Sequence, residues 1–126
     1  MYAILYRKEI YFLFEIEFYE DIKGNHPIEN FLDSLDIKMR AKILCELELL
    51  SEMGNRMREP YSKHIDEGIF EIRAKVGNNI TRILYFFRSG KIIIVVNAFV
   101  KKTNKIPRRE IILAKKRKKD YIERMG

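Results

Sequence analysis

Three strand-length runs lie almost end to end between residues 69 and 100: Ile69–Val76, Ile80–Phe87 and Lys91–Val100. Their joints are GNNI and RSGK, both hairpin signals. Connections this short admit only antiparallel neighbours, because a parallel return needs a crossover of a dozen residues or more. A two-residue Asn78-Asn79 turn predicts Lys75 across from Arg82, Arg73 across from Leu84, Ala74 across from Ile83 and Ile72 across from Tyr85. A Ser89-Gly90 turn predicts Tyr85 across from Ile94 and Arg82 across from Asn97. On these registers Phe70, Ile72, Ala74, Ile83, Tyr85, Ile94 and Val96 share one apolar face. The opposite face collects Glu71, Arg73, Lys75, Arg82 and Asn97, together with the apolar Leu84, Phe86, Ile93, Val95 and Phe99.

The rest of the chain supplies cover for this sheet. FLFEIEF alternates from Phe12 to Phe18, with Glu15 and Glu17 on one side and Phe14, Ile16 and Phe18 on the other, a half-buried strand. Pro27 suits the first turn of a helix, and Ile28, Phe31, Leu32 and Leu35 form one stripe behind it. Asp36 is placed to cap a second helix whose inner face carries Ile37, Ala41, Leu44 and Leu47 or Leu50. Gly54 ends that helix, and residues 55–66 read as loop. The last helix starts near Pro107, runs to about Arg124, and turns Ile111, Ala114, Tyr121 and Ile122 inward. The expected fold is α+β: an N-terminal strand, an α-helical hairpin packed on a twisted antiparallel sheet, and a basic C-terminal helix. At 126 residues the chain has the length of a single domain, 1–126, with residues 1–10 a leader or a strand extension.

Several chemistries are disfavoured by residue count. Cys45 is the one cysteine, so no internal disulfide or cysteine-rich metal site is available, and it reads as a core or half-buried thiol. A chain this poor in cysteine suits a reducing cytoplasm. His26 before a helix and His64 in a loop read as cap or surface residues, and no metal or cofactor is expected. The apolar start is broken by Arg7, Lys8 and Glu9 and again by Glu15 and Glu17, short of the roughly 18 uncharged residues a membrane span needs. No small-residue cleavage site follows it.

Charge singles out the end of the chain. Residues 101–126 carry eleven Lys/Arg and three Asp/Glu, a surplus of eight, whereas residues 1–100 are nearly balanced. One-sided positive charge fits a polyanionic partner, with a solvated basic helix as the alternative reading. Arg73 and Arg82 share one sheet face, Lys101 and Lys102 leave the same sheet, and Arg108 and Arg109 follow at a helix start, where backbone N–H groups favour anions. Together they predict a phosphate-lined concavity, with Lys75, Lys105, Arg108, Arg109, Lys115, Lys116 and Lys118 as RNA-binding residues. Arg82 is expected to be partly exposed and cheap to remove. Tyr85, on the core face, is expected to be structural. The apolar residues beside Arg73 and Arg82 need cover, part from Ile111, Ala114 and Tyr121 and the rest from a partner.

GNHPIENFLDSL, GIFEIRAKVGNNITRILYFF and AFVKKTNKIPRREIILAKKRKKDY resemble the phage-derived branch of the RelE/HigB-like toxin superfamily, over roughly residues 14–121. The resemblance implies the RelE-like fold and the toxin of a type II toxin–antitoxin pair. Such toxins enter the ribosomal A site and cleave mRNA, leaving 2′,3′-cyclic phosphate or 3′-phosphate ends. The implied partners are a cognate antitoxin of the helix-turn-helix, DNA-binding kind, the ribosome and mRNA. Carried over residue by residue, the catalytic cations are Arg73, Arg82, Lys101 and Lys102. Relatives with a lysine where this chain has Glu71, or a tyrosine near Arg108, mark departures that leave the general acid and base unassigned. A gyrase-directed toxin of the ParE type and a non-catalytic RNA- or protein-binding prophage remnant are the two other readings. The retained cation set favours the endonuclease over the remnant.

Overall fold

The computed structural model describes residues 14–88, 91–101 and 104–125. Among the described residues, five strands and three α-helices follow in chain order: β1 (Glu15–Phe18), α1 (Pro27–Asp33), α2 (Ile37–Met53), β2 (Ser62–Asp66), β3 (Ile69–Val76), β4 (Asn79–Arg88), β5 (Ile92–Val100) and α3 (Arg108–Met125). The strands form one sheet in the order β1-β5-β4-β3-β2. β2 to β5 are antiparallel neighbours, and β1 joins the outer edge parallel to β5, so the sheet is mixed rather than wholly antiparallel. The α+β class is the one the sequence predicts, and the elements follow in the predicted order with one strand added, β2. Residues 1–13, where the alternating strand was expected to begin, and the Ser89-Gly90 turn lie outside the described residues.

Both helices of the hairpin begin where their caps predict. Pro27 occupies the first turn of α1, and the Asp36 carboxylate accepts from the Met39 N–H at 2.8 Å at the start of α2. Gly54 ends α2 with φ +56, and a Cβ there would meet the Phe14 ring at about 2.0 Å. Glycine is therefore needed both for its backbone angle and for the ring of β1's neighbour. The inner stripe of α2 is Met39, Ile43, Leu47 and Leu50. The expected Ile37 is 76% exposed, Ala41 is exposed, and Cys45 lies on the outside rather than in the core. KILCELELL carries apolar side chains on more than one face, so periodicity alone admits several stripes, and docking on β3 selects one.

Residues 55–66 are not all loop. Ser62–Asp66 pairs with β3 and places His64 in a strand. One apolar residue, Ile65, in SKHID leaves no alternation to detect. The Ser62 hydroxyl meets the Tyr85 hydroxyl at 2.5 Å in the core, so Tyr85 is structural as expected.

Two registers differ from expectation. The β3–β4 turn is Gly77-Asn78, with Gly77 at φ +59, so Arg73 opposes Arg82, Ile72 opposes Ile83 and Phe70 opposes Tyr85. Glycine takes the first turn position because a left-handed angle there strains any other residue. The shift is two residues, so face membership survives. In β4–β5, Leu84 opposes Asn97 but Tyr85 opposes Val95, leaving Val96 as the extra residue of a bulge. Ile93, Val95 and Ala98 therefore face the hairpin with Ile72, Ile83 and Tyr85. Ile94 and Val96, expected there, lie on the opposite face with Leu84, Phe86 and Phe99. That second face is buried by α3 through Ala114 and Tyr121. Leu84, Phe86 and Phe99 are buried within the chain itself, so no partner is needed to cover them.

Candidate nucleic-acid interface

Beyond the reach of α3, the same sheet face ends in charge. The pairing lays out cross-strand rows. Glu71 opposes Leu84 and then Asn97, and Arg73 opposes Arg82 and then Phe99. In the outermost row Lys75 opposes Ile80, whose carbonyl accepts the Lys101 N–H at 2.7 Å. The bulge at Val96 is what turns Asn97, Phe99 and Lys101 to this side.

Like charges directly opposed across a ladder destabilise it, so the Arg73–Arg82 pair needs an anion between its members. Glu71 provides one. Its Oε2 forms an ion pair with Arg82 Nη1, and its Oε1 lies 3.6 Å from Arg73 Nε. Arg82 Nη2 donates to the Asn104 carbonyl at 3.0 Å, which draws the chain after β5 over the guanidinium. Arg82 Nε is buried and without a partner among the described residues. The Arg82 and Glu71 side chains are 6% and 1% exposed, against 40% for Arg73.

Arg82 is thus a buried, paired group and not the partly exposed residue the sequence suggested. Its removal strands Glu71 in the interior, so it is not cheap to lose. The sequence signal for this was Glu71 itself, two residues from Arg73 on the same face.

Lys101 is half-buried beside the arginines. Loss of water, and then repulsion from Arg82 and Arg73, hold its ammonium below the ordinary lysine value. The structure therefore brings Arg73, Arg82 and Lys101 together, with Lys75 exposed at the edge. Lys102 lies outside the described residues. Lys105, Arg108, Arg109 and Lys116 are exposed around the start and outer side of α3, with Arg109 Nε 3.8 Å from Glu110.

Lys115 and Lys118 behave differently. Lys115 Nζ is 2.6 Å from the Asp66 carboxylate, and Lys118 Nζ donates to the Glu67 carbonyl at 2.7 Å. Both dock α3 on the β2–β3 turn rather than facing a ligand. Arg117 likewise donates to the Val96 carbonyl at 2.9 Å, using the acceptor that the bulge frees.

Residues 30–119 match the family described as phage derived protein Gp49-like (DUF891). The chain belongs to that family. It is a phage-derived family associated with toxin–antitoxin systems, and the fold agrees with the RelE-like architecture. No match is found among curated proteins. Among the described residues no helix is long and apolar enough to cross a membrane.

Proposed function

We propose that this Gp49-like protein is the toxin of a type II toxin–antitoxin pair and acts as a metal-independent, ribosome-dependent mRNA endonuclease. The observation that supports this is the group Arg73, Arg82, Lys75 and Lys101, held on a rigid sheet around one carboxylate. Cations in fixed positions stabilise the charge that develops on phosphorus when the 2′-OH attacks in line. Their backbones are held by strand pairing, and Arg82 is held again by Glu71 and the Asn104 carbonyl, so the group meets that charge with less reorganisation than a flexible basic tail. Lys101, whose hold on its proton is weakened, suits donation to the departing 5′ oxygen. Alignment of the 2′-OH comes from the ribosome, which presents mRNA in an extended path. A cognate antitoxin neutralises the toxin with an acidic segment over the same cations.

The test is translation of a defined mRNA followed by primer extension. The expected result is cuts in phase with codons, lost in Arg73→Ala and in Lys101→Ala while both variants stay folded. Uncut mRNA with induction of DNA damage signalling in cells would mean a gyrase-directed toxin. Neither effect would mean a binding module. Arg73→Ala is the cleaner variant than Arg82→Ala, because it leaves the buried ion pair in place.

A further inference from the structure

The two arginines of the site are not equivalent, and Glu71 is the reason. Its carboxylate is divided unequally between them. One oxygen is committed to Arg82, in an ion pair with both side chains buried. The other stands 3.6 Å from Arg73 Nε, too far for a good hydrogen bond. Arg82 is fixed again by the Asn104 carbonyl. Arg73 adds a long 3.4 Å bond to the Pro60 carbonyl and leaves two fifths of its side chain in solvent. Arg82 is thus a fixed base, and Arg73 is a loosely held fork at the surface.

We propose that Glu71 is an internal stand-in for a substrate phosphate: it keeps Arg82 fixed beneath the site and gives up Arg73 to an incoming phosphodiester, which takes the carboxylate's place on that arginine. A phosphodiester offers two free oxygens, the geometry an arginine fork accepts in parallel. Lys101 and Lys75 flank the vacated position and add charge without competing for it. Glu71 is on this account a positioning residue. It also competes with the ligand, so it lowers the affinity for free RNA and favours a phosphate that another surface already presents. The inference rests on the phosphate-binding part of the proposed function and not on cleavage.

The experiment uses the full chain, labelled with nitrogen-15, titrated with an RNA trinucleotide blocked at every 2′ oxygen by methylation. The arginine Nε–H signals are read by NMR. The Arg73 signal is expected to shift to saturation while the Arg82 signal stays in place. Glu71→Gln is expected to bind the trinucleotide on the order of tenfold tighter, because a unit negative charge beside the ligand is removed. In an Arg73→Ala background the gain from Glu71→Gln is expected to vanish; the same gain there would mean that Glu71 acts only as a nearby charge and overturns the proposal. A shift of Arg82 in place of Arg73, no shift of either, or a folded Glu71→Gln with equal or weaker binding overturns the proposal. Should Glu71→Gln fail to fold, the wild-type titration still decides, since it needs no variant. A chain that binds through Arg73 yet cuts no mRNA on the ribosome overturns the endonuclease reading and leaves this one standing.

Discussion

The two faces of the sheet are closed by different physics. The hairpin face is filled by volume: Ile28, Leu32, Ile43, Leu47 and Leu50 press on Ile72, Ile83, Tyr85 and Val95, with the Ser62–Tyr85 hydroxyl contact as a polar exception. The α3 face joins an apolar layer, Leu84, Phe86, Ile94, Val96 and Phe99 against Ala114 and Tyr121, to a set of polar pairings. α3 buries Ala114 and Tyr121. Named bonds hold the rest: Lys115 to Asp66, Arg117 to the Val96 carbonyl, Asn97 to Glu110, Tyr19 to Asp120 and Tyr121 to Glu17. A helix so rich in cations cannot seal a sheet with apolar side chains alone. It seals by finding an acceptor for several of its charges and leaving the others outside. The lesson is that basic residues of one helix have separate destinies, set by what the sheet beneath them offers.

The largest expected effect tests whether charge pairing carries as much as volume does. Arg82→Ala strands the buried Glu71 and should cost about 3–5 kcal/mol, read as a lowered denaturant midpoint. Replacing both members, Glu71→Gln with Arg82→Gln, should recover much of that loss. A cost under about 1 kcal/mol for Arg82→Ala would mean the pair is reached by water, and the contrast between the faces would collapse.

Close behind is the hairpin face. Ile43→Ala removes a wholly buried side chain and should cost about 2–5 kcal/mol. Ile37→Ala, at an exposed position on the same helix, should stay within about 0.5 kcal/mol. Equal costs would restore the stripe that periodicity first suggested.

The smallest effect is in acid. A hydrogen bond from Lys115 holds the Asp66 carboxyl below the usual carboxylate range, and bonds from Arg124 and Tyr19 do the same for Asp120. Such a depressed value gives stability that is present above the ordinary aspartate pKa and lost as pH falls through the folded one. Both groups fasten α3, so α3 should loosen first below about pH 4. Hydrogen exchange, corrected for intrinsic rates, should rise more in α3 than in α2 between pH 6 and pH 3. An equal rise in both helices would break the comparison from its weaker side.

These contrasts also explain what could be read from the chain alone. The helical hairpin was legible because its punctuation is local: Pro27, Asp36 and Gly54 each act within a turn. The Glu71, Arg73 and Arg82 face was legible because two-residue register errors preserve it. β2 was not, because SKHID becomes a strand only when β3 offers it partners. The face of Ile94 and Val96 was not, because the carbonyl at the bulge meets a donor on α3, Arg117, 21 residues away. The depth of Arg82 was hidden for a related reason. Its cover is the Asn104 carbonyl in the segment after β5, and no local pattern announces that the segment folds back.

The bulge at Val96 makes β5 two half-strands in opposite phase. The first half gives its odd residues, Ile93 and Val95, to the hairpin, and the second half gives its odd residues, Asn97, Phe99 and Lys101, to the cation face. Parity is therefore what this segment preserves. Were β5 to run past β4 as an unbroken ladder with Val96 retained, Lys101 would fall on the apolar side and Val100 on the cation side, an inversion that no side-chain substitution could repair. Removing Val96 itself would leave a regular strand with every later residue on its present side. With the bulge kept, changes in steps of two within either half would leave the other residues on their sides and merely change the length of the shelf. In this sheet, core and cation face cannot drift apart independently, because both are set by the phase in which β5 leaves the bulge.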